Sequence, residues 1–146
     1  MNRRRSLALA GLALASGLPL AGCTEVETET ATGYEPSKLQ AVKGAYDLQR
    51  VIFTEEAAKR VDLRTAPVRR TAKHKVVPYA ALIYDPEGKT YVYTSPKPLE
   101  YLRREVEVFR IEGNRVLLTR GPPRGTEVVT VGAAEVYGTE LEVPSH

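Results

Sequence analysis

The stretch VPYAALIYDPEGKTYVYT, Val77 to Thr94, decides the fold. Two runs rich in β-branched and aromatic residues flank Asp85, Pro86, Glu87 and Gly88. Asp first, Pro second and Gly last is the signature of a type I turn, because Pro presets φ and Asp can bond the backbone nearby. The runs therefore read as the two arms of a β-hairpin. If Asp85 opposes Gly88, Leu82 faces Tyr91 and Ala80 faces Tyr93, cross-strand pairs worth ~0.2–1 kcal/mol each.

Outward from this hairpin the same grammar repeats. REVEVFR and RVLLT flank Ile111, Glu112, Gly113 and Asn114, with Gly113 and Asn114 able to take the positive φ of a tight turn. Alternation through Glu105, Val106, Glu107 and Val108 fails at Phe109, where a bulge accounts for it. GPPRG, Gly121 to Gly125, interrupts the chain before a strand EVVTV at 127–131, and GAAEVYGTELEV is a glycine-punctuated closing segment. Upstream, Thr54 is a helix N-cap, Glu55 and Glu56 suit the first turn and Lys59 and Arg60 the last, predicting one short helix at 55–61. Val61, Leu63 and Thr65 then predict a strand ending at Pro67. The fold class is mainly β, a small β-barrel or β-roll built of hairpins with one short helix.

The N-terminus is of a different kind. MNRRRSLALAGLALASGLPLAGC places three arginines before an apolar run from Leu7 to Leu20. At roughly 14 residues that run falls short of the ~20 that span a bilayer and suits a secretory signal. Leu20, Ala21, Gly22 and Cys23 resemble the lipobox of bacterial lipoproteins, whose cysteine is acylated, with palmitate among its chains, and becomes the mature N-terminus. The alternative to the lipobox is an ordinary secreted protein cut near Ala21 with an incidental thiol, and Arg4–Arg5 also fits a twin-arginine export signal. The expected organisation is a signal peptide at 1–22, a flexible acidic tether at 23–45 and a β domain at 46–146. Thr–Glu alternation in TEVETETATG offers no apolar groups to repay ordering, and such a tether reaches on the order of 25 Å.

Cleavage before Cys23 removes three arginines and no acid, so Lys plus Arg falls from 21 to 18 against 18 Asp plus Glu. The mature chain is close to neutral, and nucleic acid is not an expected partner. The single cysteine rules out an intrachain disulfide. About 100 residues remain for one modest core.

Catalysis needs a nucleophile, base or metal held in a cleft. The cysteine is assigned to lipid. His74 lies within Lys73-His74-Lys75 and reads as part of a solvated basic face, while His146 is terminal. No HExxH, CxxC or phosphate-cradling glycine loop is present. The expectation is no enzyme, no cofactor and no metal. GPPRG suggests an anion nest only weakly, since its two prolines remove amide donors. The tyrosines at 79, 84, 91, 93 and 101 either pack, half-buried, or line a ligand groove on the sheet.

Two stretches carry a resemblance. Val51 to Val68, an apolar triplet, short helix and strand ending DLRTAPV, resembles the opening of the mature region of periplasmic adaptor subunits, or membrane fusion proteins, of resistance-nodulation-division efflux pumps. Val76 to Val143, with VVPYAALIYDPEGKTYVYT and VLLTRGPPRGTEVVTVGAAEVYG, resembles their far C-terminal part. In that family the two stretches meet as a membrane-proximal β domain seated on the inner-membrane transporter. The β-barrel, lipoyl-like domain and helical hairpin between them are replaced here by Arg69 to Lys75. The resemblance implies a membrane-anchored lipoprotein of the cell envelope, on the extracytoplasmic side, held by membrane lipid through Cys23 and associating with an efflux or export transporter. Tyr91, Tyr93, Tyr101, Arg103 and Arg104 are the expected partner-binding residues, since Tyr and Arg are enriched at interface hot spots. The alternative is an envelope lipoprotein that binds a small ligand or cell-wall polymer through a tyrosine-lined sheet face.

Overall fold

A computed structural model describes residues 35–141, apart from the side chain of Tyr46. The expected signal peptide, Cys23, the first part of the expected tether and His146 lie outside the described residues. Ten strands and two α-helices follow one another in chain order. They are β1 (Ser37–Val42), β2 (Ala45–Phe53), α1 (Glu55–Arg60), β3 (Arg64–Pro67), β4 (Arg69–Arg70), β5 (Lys75–Pro78), β6 (Ile83–Tyr84), β7 (Thr90–Lys97), β8 (Glu100–Glu112), β9 (Arg115–Arg120), β10 (Glu127–Val131) and α2 (Ala133–Leu141). A single 3-10 turn, Tyr79–Ala81, sits between β5 and β6. The chain is mainly β, and its sheet is nearly closed and barrel-like.

The closure has a simple origin. Strand order runs β3-β10-β7-β8-β9-β5-β4, so the two ends of the path are consecutive in the chain. Only Val68 separates β3 from β4, and it is buried at 1 % exposure. Its N–H donates to the Thr126 carbonyl at 2.8 Å, and its carbonyl accepts from the Gly125 N–H at 2.9 Å. β8 carries the curl, because residues 100–106 pair with β7 while residues 107–112 pair with β9. The pairing shifts at Glu107/Val108 and again at Val108/Arg110, so Phe109 is an extra residue. The bulge expected at Phe109 is present, and bulges bend and twist a strand.

Helix α1 is at its expected place, with the Thr54 hydroxyl accepting from the Ala57 N–H at 3.2 Å. Three expectations are corrected. The tether does not run to residue 45, since Ser37 to Val42 form β1, which pairs with β2 from Ser37↔Phe53 onward. Leu39 then packs against the core, and burial of that kind repays the ordering of the strand. The first hairpin is shifted by one, with Ile83 opposite Tyr91 and Tyr84 opposite Thr90. Gly88 takes φ +82° as the extra residue of a three-residue loop; the Asp85 N–H donates to the Lys89 carbonyl and the Lys89 N–H donates to Asp85 Oδ1. Ala80 consequently lies in the 3-10 turn and not opposite Tyr93. Third, the closing segment is helical from Ala133 to Leu141. In the second hairpin Gly113 has φ +60° whereas Asn114 does not have positive φ.

Two apolar clusters result. One fills the barrel with Val68, Val77, Leu82, Val92, Val106, Val116, Leu118 and Val128. The other lies beneath the helices and includes Val51, Phe53, Ala57, Tyr93, Tyr101, Val129 and Val136. Neighbouring residues of one strand feed both, Val92 and Tyr93 on β7, Val128 and Val129 on β10, as the pleat requires.

Candidate functional site

The five expected partner-binding residues divide by burial: Tyr91, Tyr93, Tyr101 and Arg103 share one sheet face and only Arg104 lies on the other. Tyr93 is fully buried and Tyr101 is 5 % exposed, packed edge-on against Phe53 with ring centres 6.0 Å apart. These two belong to the core, which corrects their assignment to a binding surface. The physical reason is the helical layer on that sheet face: α2 lies over Tyr93 through Glu140, while Tyr101 packs against Phe53 beside α1. Tyr91 and Arg103 are half-buried, and Arg104 is exposed.

Arg103 is engaged on several sides. Its guanidinium lies over the Tyr91 ring, 4.8 Å from the centroid, and donates to the Asp47 carbonyl at 2.9 Å. Its Nε stands 3.3 Å from Glu140 Oε2. Glu140, at 4 % exposure, also accepts a hydrogen bond from the Tyr93 hydroxyl and one from the Gln49 N–H at 3.4 Å. This is a buried carboxylate satisfied by a cation, a phenol and a backbone amide, the condition under which burial of a charge is tolerated. Burial pushes the Tyr93 phenol far above its ordinary range, and the Glu140 hydrogen bond and charge add to this while Arg103 opposes it. Burial alone raises Tyr101. Tyr91 is raised by desolvation and then by neighbouring Asp85, with Arg103 acting the other way.

The sequence reading missed Glu140. The signal was present, since Ala133, Val136, Tyr137 and Glu140 recur at helical spacing and all face inward or are half-buried. Glycines at 132 and 138 disguised it. Gly132, at φ +82°, accepts the Val136 N–H at 3.0 Å through its carbonyl, so it opens the helix without a polar cap.

Arg104 sits at the mouth of an open cleft of about 430 Å³, lined with Pro96, Arg120, Pro122 and Pro123. Arg120 there is neutralised by Glu105 at 3.2 Å and Glu107 at 3.0 Å. Arg104 makes no ion pair among the described residues. His74 stacks on Phe109 with ring centres 4.3 Å apart, and its Nδ1 has no hydrogen-bond partner among the described residues. Its neighbours in the turn are Thr71 and backbone, with no carboxylate bonded to the imidazole. Among the described residues no group of three His, Cys, Asp or Glu side chains is placed to hold a metal, and no helix is long and apolar enough to cross a membrane.

The class of protein so defined is a small, mainly β protein with a barrel-like sheet, locked by a helix whose buried glutamate pairs with the sheet. Comparison with known proteins goes no further: no family model, curated protein or solved structure matches the chain.

Proposed function

We propose that this protein is a lipid-anchored extracytoplasmic accessory, adaptor-like in kind, that associates with a membrane efflux or export transporter. The observation that supports this reading is the pairing of the two stretches that resemble the adaptor family. Residues 51–68 and 76–143 contribute strands to one sheet, through β3 with β10 and β2 with β8. Arg69 to Lys75, which stands where the family inserts further domains, is the β4–β5 hairpin. The domain is thus closed on itself and acts by docking.

The docking surface centres on Arg104 and the proline-lined cleft beside it. Arg103 positions Tyr91 from behind and is not free to reach a partner. Crosslinking in native membranes is the test: recovery of a transporter, reduced by Arg104→Glu with the fold intact, is the expected result. Recovery of lipid or cell-wall material alone would sink the reading.

A further inference from the structure

We infer that the cleft at the barrel's closure, lined by Arg69, Arg70 and Arg124, binds the phosphate of an anionic lipid headgroup. The cleft has a volume of about 530 Å³ and is otherwise walled by Pro67, Val68 and Gly125. That is the size of a small-ligand site. No carboxylate lines it, and none of the three arginines makes an ion pair among the described residues. Elsewhere on the domain most arginines are neutralised, as Arg50 is by Glu100, Arg64 by Asp62 and Arg120 by Glu105, and Arg104, which makes no ion pair among the described residues, stands alone and not in a cluster. Three arginines without ion-pair partners border one concavity, and an anion entering it offsets the local excess of positive charge. Planar, forked donors suit the oxygens of a phosphate.

The arginines are held in place from far apart in sequence. Arg69 and Arg70 pair with Val76 and Lys75 across the hairpin. Arg124 is brought to them by the Val68 backbone bonds to Gly125 and Thr126. Lys75 Nζ donates to the Gly121 carbonyl, fastening the other end of the same loop. GPPRG therefore acts by presenting a side chain, which is why its prolines do not matter.

A lipid headgroup is favoured over a soluble phosphate by what borders the cleft. The hairpin tip, continuous with Arg70, carries exposed Lys73 and the His74 ring stacked on Phe109, itself 52 % exposed. Cations beside an exposed aromatic ring make a surface suited to the membrane interface. The patch would supply a second signal beside an acyl chain at Cys23. The inference is separable from the transporter reading, since pure lipid contains no protein partner.

The test uses the full chain with Cys23→Ser and vesicles of phosphatidylcholine with and without phosphatidylglycerol. The ratio of partition to anionic and neutral vesicles cancels the share of the apolar Leu7–Leu20 run. Arg69→Gln, Arg70→Gln and Arg124→Gln together are expected to lower that ratio on the order of 100-fold, and Arg124→Gln alone, on an exposed loop, about fivefold. A charge-matched control, Lys43→Gln, Lys59→Gln and Lys89→Gln, is expected to change it much less, with circular dichroism verifying the fold of each. Equal falls in both triple variants, or no fall in either, would overturn the site. Calorimetric binding of glycerol 3-phosphate that the arginine substitutions abolish, with the vesicle ratio unchanged, would overturn the lipid assignment in favour of a free phosphate.

Discussion

Glu140 lies at 4 % exposure, in contact with Arg103 and Tyr93. Arg103→Ala leaves the buried Glu140 without its cation and is expected to lower the unfolding free energy by about 3–5 kcal/mol, whereas Glu140→Ala leaves a half-buried Arg103 still bonded to the Asp47 carbonyl and is expected to cost less. Replacing both, Glu140→Leu with Arg103→Met, is expected to cost far less than the sum of the singles. Urea unfolding of the four proteins checks this, and additive losses would contradict it. Tyr93 gives a pH dependence. Its folded-state pKa is raised, so the folded chain keeps a proton that the unfolded chain releases above about pH 10. Its contribution is complete below that pH and is lost as pH rises further. Tyr93→Phe should flatten the alkaline fall in stability, measured as urea midpoints across the alkaline range. Of this cluster the sequence singled out Tyr93 and Arg103 but as partner-binding residues, whereas both are turned onto Glu140. The strand pattern puts Tyr91 and Tyr93 on one face in simple alternation, and only the helix packed over that face decides which ring is covered.

Among the elements, turns were the most legible. Asp85-Pro86-Glu87-Gly88 announced a hairpin, yet a single glycine at positive φ made the loop three residues long and moved the register by one. Composition names a turn, while register depends on how the strands twist away from it. Helix α1 was legible because Thr54 caps it with an ordinary side chain. Helix α2 was not, because its cap is a backbone conformation. Two substitutions compare these devices. Thr54→Ala is expected to cost about 1 kcal/mol. Gly132→Ala should cost more, since its φ is +82° and a Cβ there would lie 2.4 Å from Leu63 Cδ2 and 3.2 Å from Leu63 Cγ. Thermal unfolding ranks them, and a Gly132→Ala protein as stable as the parent would show that the β10–α2 joint relaxes freely.

Over the whole molecule, the sheet has an interior cluster and a helix-side cluster that share the strands β7 and β10. Val128 points into the barrel and Val129, its neighbour, into the layer under α1 and α2. Both are fully buried. A loss of packing on either side therefore loosens the strand that the other side needs, and the two clusters should unfold as one unit. Val128→Ala and Val129→Ala, each removing two buried methyl groups, are expected to cost about 1–3 kcal/mol. Each should move two probes together: tyrosine fluorescence, to which Tyr93, Tyr101 and Tyr137 contribute on the helix side, and amide exchange of Val77, Val106 and Val116 within the barrel. Separate midpoints for the two probes, or a Val129→Ala effect confined to fluorescence, would mean that the helix layer detaches while the barrel stays folded. The barrel's closure at Val68 argues for coincidence, because the arginine cleft, the β3–β10 pairing and the interior cluster all depend on that one buried residue.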